Sequence, residues 1–365
     1  MKKIKVAIIG QGRSGRSIHG RYFLSGQEKY QVVAVADQLE KRRKTAGELF
    51  GCDTYEDYHS LLKRDDIDLV VNASYSQQHV PITLDLLNSR FNVLCEKPLA
   101  RTVEEVDMLI KASEESEKLL TVFQQSRFAP YFKQVRKVID LGVLGRIIQI
   151  SVSFNGFSRR WDWQTFQENY AGSLLNTGPH PLDQALQLFG TDIMPQVKCI
   201  MDRVNTFGDA EDYVKIILTG KGRPVIDLEI SSCCAYPCFT YNIQGSRGGF
   251  KGTMTQADWK YFKADEAPNQ KLFRQPLETE DGTPAYCKET LTWYEDSWKV
   301  PEEQSDMVLT MTGEYYDMLY RTLTEGTPLE VTLEEVRQQI AVIEECHKQN
   351  PLSVLNKQQK IADNK

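Results

Sequence analysis

No part of this 365-residue chain holds the ~20 consecutive apolar residues that a membrane-spanning helix requires. Positive charge is also in short supply. The 44 Lys and Arg are outnumbered by 50 Asp and Glu, giving a formal net charge of -6, whereas a nucleic-acid or anionic-membrane surface needs a clustered basic excess. The run Lys41-Arg42-Arg43-Lys44 is short and falls in a helical pattern, as a solvated helix face does. A second cysteine pair to complete a zinc site is missing as well. Cys233, Cys234 and Cys238 cluster on a strand-like segment and its end, without a second pair or histidines to complete a tetrahedral set, so no metal is expected. Most of the eight cysteines sit in apolar surroundings such as Val93-Leu94-Cys95 and read as reduced thiols. Met1-Lys2-Lys3 leads straight into a strand-like segment with no long apolar region or cleavage site, which sets the expectation of a cytoplasmic protein.

What is present is an ordinary globular composition, 41% apolar and 26% charged, in a chain long enough for two cores. Up to about residue 125, short runs rich in β-formers (5–9, 32–36, 69–71, 91–94, 119–123) alternate with helical patterns at 14–24, 40–50, 80–88 and 103–117. Apolar runs of that kind fit strands buried on both faces, and their alternation with helices predicts a doubly wound parallel sheet. Beyond about residue 145 the strand-like runs (146–154, 197–205, 213–218, 225–231, 239–244) follow one another without helices between them, apart from a helical pattern at 181–188. That favours a mostly antiparallel open sheet in an α+β domain, with further helices at 313–323 and 333–346. Residues 256–303 are polar and irregular yet carry several aromatics, which predicts a packed loop excursion. The expected organisation is a dinucleotide-binding domain over 1–125, a substrate and oligomerisation domain over 126–355, and a polar tail over 356–365.

Gly10-Gln11-Gly12-Arg13-Ser14-Gly15 follows the first strand and opens the first helix. Glycines there permit a tight turn and close approach of backbone to a pyrophosphate, whose charge the helix N-terminus stabilises. Asp37 ends the second strand, at the separation expected of an acid on a ribose 2′-hydroxyl. A carboxylate there would repel a 2′-phosphate and favours NAD, while Arg42 and Arg43 a turn further on soften the preference and keep NADP open. Two later segments, Cys95-Glu96-Lys97-Pro98-Leu99-Ala100 and Asn176-Thr177-Gly178-Pro179-His180-Pro181-Leu182-Asp183, supply a lysine and a histidine able to face one ligand.

In these features the chain resembles the Gfo/Idh/MocA family, which includes glucose–fructose oxidoreductase and inositol dehydrogenase. The resemblance rests on Gly10 to Gly15 with His19, Asp37, Asn72-Ala73-Ser74 with His79, Glu96-Lys97-Pro98, Gln125 with Arg127-Phe128, and the spacing of Asn176, Gly178, His180 and Asp183. It implies a Rossmann domain followed by an α/β domain whose open sheet builds a homodimer or homotetramer. It also implies a cofactor site that includes Ala73, Ser74, His79, Glu96, Lys97 and Gln125, with Lys97 beside both nicotinamide and substrate, and a bend at Glu-Lys-Pro.

On physical grounds an ammonium at Lys97 can hydrogen-bond a reacting hydroxyl and stabilise developing alkoxide charge. His180 has the pKa range to take the hydroxyl proton, with Asp183 one turn on either orienting it or pairing within the helix. Asn176 departs from the aspartate that many family members carry; it keeps a donor and an acceptor but no charge, which leaves His180 with less support as a base. Trp161, in Arg159-Arg160-Trp161-Asp162-Trp163, suits the C–H face of a sugar if its loop folds over the cleft, and a packed loop otherwise. Arg127 fits either a substrate contact or a structural ion pair, and Tyr236 is a further candidate for the cleft. The expectation is an NAD-dependent dehydrogenase of a sugar, polyol or sugar derivative, with Lys97, His180 and Asn176 as its catalytic group. Its rivals are a glycosidase that retains NAD and acts by transient oxidation, and a nucleotide-binding sensor without turnover.

Overall fold

The computed structural model describes residues 3–351, so the expected polar tail lies outside the described residues. The first sheet has six parallel strands in the order β3-β2-β1-β4-β5-β6: β1 Ile4–Ile9, β2 Tyr30–Ala36, β3 Asp53–Tyr55, β4 Leu69–Asn72, β5 Val93–Cys95 and β6 Leu120–Val122. The order reverses at β1, and register aligns Ile9 with Ala36 on one side and with Asn72 on the other. The ends of β1, β2 and β4 therefore open on one crevice, the place where doubly wound sheets bind ligands. All its strands but the edge strand β3 are buried because helices cover them: Glu40–Phe50, His79–Asn88, and Val103–Ser116, which starts on a capping box of Thr102 and Glu105. The expected first helix is wound more widely than an α-helix over Arg13–Gly20 before continuing as Arg21–Phe23. Such π-type turns concentrate at functional sites.

The second sheet has eight strands, which lie side by side in the order β16 Tyr294–Lys299, β13 Gln256–Tyr261, β12 Gly248–Gly252, β11 Tyr241–Gly245, β7 Ile147–Asn155, β10 Val225–Ser231, β9 Tyr213–Thr219 and β8 Gln196–Asp202. Every pairing in it is antiparallel except β7 with β10. In β9 every second residue (Val214, Ile216, Leu218) is buried, so one face meets the core and the other does not. The helix Pro179–Phe189 packs across β7 and β10 and carries its N-terminus to the first sheet.

The structure corrects the sequence reading of residues 256–303. The segment begins and ends as strands β13 and β16 at the sheet edge, and Trp259 is buried against Phe250 of β12. Alternation of Asp, Lys and Glu with aromatics hid them, because only one face of an edge strand is buried. Between them a long arm carries the short hairpin strands β14 Leu277–Glu278 and β15 Pro284–Ala285, with Leu272 and Tyr286 more than 90% exposed rather than packed. An additional helix, Pro130–Asp140, was not anticipated.

The final helices return to the first domain. Met307–Glu325 brings Tyr315 and Tyr316 under β6 and the glycine-loop helix, where Tyr316 stacks on Tyr22 at 4.6 Å. Leu333–Gln349 lies against both Val103–Ser116 and β8. The crevice between the two sheets is thereby fixed from behind.

Candidate active site

The glycine loop separates glycines needed by the fold from one needed by a ligand. A side chain at Gly10 (φ +86°) would lie 2.4 Å from the Ala73 carbonyl, and one at Gly15 would lie 1.9 Å from the Gly10 carbonyl. Backbone packing alone excludes both. Gly12, at the helix N-terminus, has no protein atom within 4 Å of where its Cβ would be. That open space beside unpaired helix N–H groups fits a pyrophosphate. Asp37 is placed by its own hydrogen bonds: Oδ2 accepts from Gln11 N at 2.6 Å and Oδ1 from Leu39 N at 2.9 Å. Arg42 lies 3.6 Å from Oδ2, while Arg43 donates to the carbonyls of Asp37 and Gln38.

Several residues expected at the cofactor are turned elsewhere. His79 is buried with its ring nitrogens facing the carbonyls of Pro98 (2.7 Å) and Ser74 (3.3 Å), and burial lowers its pKa. It ties the loop after β4 to the Lys97-Pro98 bend instead of presenting a free nitrogen. Glu96 bonds His19 Nε2 at 3.1 Å, and His19 Nδ1 in turn meets Tyr316 Oη at 2.8 Å. Burial opposes ionisation of Glu96, yet the His19 hydrogen bond and the charges of His19, Lys97 and His79 hold it down at about 2. Ser74 Oγ donates to Asn72 Oδ1 at 2.7 Å. Gln125, by contrast, has a buried Oε1 without a hydrogen-bond partner, an acceptor left for a donor outside the protein.

The Lys97-Pro98 peptide is cis, and Lys97 Nζ donates to the Asn176 carbonyl at 2.5 Å. Burial lowers the Lys97 pKa; Glu96 opposes the shift and Arg13 adds to it. His180 stands at the start of the Pro179–Phe189 helix with Nδ1 3.1 Å from Ser126 Oγ. Burial, then the Lys97 ammonium, push its pKa down to about 3 against the pull of Glu96, so the imidazole is neutral at pH 7. Asn176 ends the short helix Ser173–Asn176, and its Oδ1 accepts from Gln164 Nε2 at 3.3 Å. Residues from β5 and from the second domain thus meet in one cluster.

Other candidates fall outside it. Arg127 is 5% exposed and fully engaged: it pairs with both Asp183 oxygens, with Glu335 at 2.6 Å and with the Glu330 carbonyl. It is the structural ion pair of the two alternatives, and Asp183 serves Arg127 rather than orienting His180. Trp161 is 74% exposed against the edge of Phe207, and Tyr236 is 90% exposed, so neither is enclosed in the site. Trp163 instead reaches the first domain, meeting Tyr75 edge-on at 4.9 Å. Sequence reasoning missed Ser126, which lies between Gln125 and Arg127, and Gln164 and Tyr316, which stand in no motif. Among the described residues no group of His, Cys, Asp and Glu could hold a metal ion, and no helix is long and apolar enough to cross a membrane.

Comparison with known proteins decides the family. Residues 4–124 match the Gfo/Idh/MocA profile described as an oxidoreductase family with an NAD-binding Rossmann fold, and residues 136–351 match the companion C-terminal alpha/beta domain. The chain belongs to the Gfo/Idh/MocA oxidoreductase family. One relative is the scyllo-inositol 2-dehydrogenase (NADP(+)) IolW of Bacillus subtilis, 25% identical over 93% of this chain and 92% of the relative. Another is the 2,7-anhydro-N-acetylneuraminate hydratase of Mediterraneibacter gnavus, 25% identical over 77% and 75%. The solved structure of yvaA from Bacillus subtilis superposes with a TM-score of 0.76 at 21% identity, covering 96% of each chain, which is a likeness of fold. For a Gfo/Idh/MocA protein, Gly12, Asp37 and the orphan Gln125 oxygen are the positions where these residues fit a dinucleotide.

Proposed function

We propose that this protein is a dehydrogenase that moves a hydride between a nicotinamide cofactor, NAD in preference to NADP, and a secondary hydroxyl of a sugar, polyol or sugar derivative. The observation that supports it is the gathering of Lys97, whose pKa burial lowers, with the neutral His180 imidazole beyond the carboxyl end of β5. A bound nicotinamide supplies the hydride acceptor. Lys97 Nζ donates to the reacting oxygen and stabilises negative charge as it develops there. His180 is neutral; in the tautomer whose Nδ1 donates to Ser126 Oγ, Nε2 carries the lone pair that takes the hydroxyl proton. Positive charge beside Lys97 is unfavourable for His180, so the two act as one proton-holding pair in which a proton gained by His180 eases loss from Lys97. The charge of Asp37 at the ribose position is what favours NAD.

The test is absorbance at 340 nm with NAD⁺ or NADP⁺ and a panel of sugars, inositols and sugar acids. NADH forms with one substrate group, and Lys97→Ala lowers kcat/KM by about 10²-fold or more. The hydratase among the relatives supports a second reading, turnover with no net change in the cofactor. Product release from a glycoside or anhydro-sugar without NADH accumulation would replace the dehydrogenase by that reading.

A further inference from the structure

Gln164 fixes which way the Asn176 amide faces. It lies in the turn Trp163–Thr165, where Asp162 Oδ1 accepts from Gln164 N at 2.9 Å. The same carboxylate holds Arg160 through Nε at 3.2 Å and Nη2 at 2.7 Å, and Arg160 Nη2 donates onward to Gln164 Oε1 at 2.6 Å. A guanidinium only donates, so the Gln164 oxygen belongs to Arg160 and its nitrogen must face the other way. There it donates to Asn176 Oδ1 at 3.3 Å. The backbone carbonyl of Asn176 is also taken, by Lys97 Nζ at 2.5 Å. Each oxygen of residue 176 thus already accepts one hydrogen bond. What remains is Nδ2, a donor with no partner among the described residues on a partly buried side chain.

We infer that Gln164 is a positioning residue that turns the unpartnered Asn176 donor to the ligand, and that the ligand meets it with an sp² oxygen, a carboxylate or a carbonyl. Lys97 is a second group that only donates, and in the tautomer whose Nδ1 donates to Ser126 Oγ, Nε2 of His180 is an acceptor that the reacting hydroxyl takes up. A further hydroxyl placed on Asn176 Nδ2 can accept its proton but must find an acceptor elsewhere for its own. A carboxylate or carbonyl needs none. Aspartate at this position would present the opposite polarity. The inference takes the location of the ligand from the function proposed above; the polarity comes from the Arg160–Gln164–Asn176 relay alone.

Two substitutions test it. Asn176→Asp replaces the donor by an acceptor at the ligand. Gln164→Glu gives Arg160 a carboxylate and leaves Asn176 no N–H to accept from, so the Asn176 amide turns over to donate to residue 164 and shows Oδ1 to the ligand. Binding is measured by calorimetry on protein saturated with cofactor. D-glucuronate is set against D-glucose with NAD⁺, and the 2-ketone of myo-inositol against myo-inositol with NADH. Wild-type protein binds the sp² member of at least one pair about tenfold more tightly, and the pair that shows it tells carboxylate from carbonyl. Both variants erase that ratio, a fall of about tenfold, with melting temperatures within a few degrees of wild type. Absence of any preference in wild type, including failure to bind either pair, overturns the inference. So does a Gln164→Glu protein that keeps the wild-type ratio while Asn176→Asp loses it. Binding with the expected ratios but no NADH from any sugar would defeat the dehydrogenase proposal and leave this inference standing.

Discussion

Replacing Arg127 by Met separates a structural arginine from a substrate-binding one. Arg127 and Asp183 are both buried, the guanidinium holds both carboxylate oxygens, and Glu335 and the Glu330 carbonyl take its remaining edge. Burial raises the Asp183 pKa and the guanidinium offsets part of that rise. Methionine fills much of the volume but strands a buried carboxylate, and breaking such a pair costs about 3–5 kcal/mol. The cost depends on pH in a defined sense. With the counter-charge gone, the folded-state pKa of Asp183 climbs further above its unfolded value. The folded protein then binds a proton that the unfolded chain releases, so stability falls as pH rises through that window. Urea denaturation should show a deficit for Arg127→Met that is larger at pH 8 than at pH 5. Adding Asp183→Leu should recover much of it, since an apolar replacement of the whole pair leaves no stranded charge. An Arg127→Met protein of wild-type stability with a raised KM would refute this reasoning and return Arg127 to the substrate.

Gly12→Ala should weaken NAD binding by about tenfold or more without lowering the melting temperature, because its Cβ meets only open space, whereas Gly15→Ala should lower stability through its clash with the Gly10 carbonyl. Titration of cofactor fluorescence against thermal melts distinguishes the two. Asp37→Ser should move cofactor preference toward NADP by removing the charge that repels a 2′-phosphate and freeing Arg42, which now sits 3.6 Å from that carboxylate; the ratio of Kd values for the two cofactors reads it. His180 has a folded-state pKa pushed down to about 3 from 6.5, so the unfolded chain binds its proton first and stability is lost as pH falls from about 6.5 toward 3. His180→Gln should flatten the stability profile in that window; an unchanged profile would show that the imidazole is not held neutral.

The first domain was legible except for the exposed edge strand β3, because its other strands are buried on both faces, so burial and sequence hydrophobicity coincide along runs such as Ala7-Ile8-Ile9 and Leu69-Val70-Val71. The second sheet was legible from β11 across to its edge at β8. Strands β7 to β11 bury one face under helices and show the alternation, while β12 is interrupted by glycines at 248, 249 and 252 that let it approach its neighbours. β16 buries too little to carry a pattern at all. Even the helix Pro130–Asp140, whose buried side carries Tyr131, Phe132, Val135 and Val138, escaped notice beside a run of polar residues.

In the candidate site, motif residues and working residues only partly coincide. Lys97, Asn176 and His180 stand in recognisable segments, and the fold brings those segments together through backbone features, the bend at Pro98 and the helix start at Pro179. The groups that set their chemistry do not. Ser126 fixes the His180 ring, Tyr316 anchors His19 behind Glu96, and Gln164 orients Asn176, each across 12 to 297 positions of sequence. A single serine or glutamine carries no local signature, since its role comes from the direction its partner leaves open. Conversely, His79, Glu96 and Arg127 sit beside the motifs yet spend their polar atoms inside the protein. The sequence therefore marks where the polar groups are gathered, and hydrogen-bond polarity decides which of their atoms stay without a partner among the described residues, Asn176 Nδ2 and Gln125 Oε1 among them.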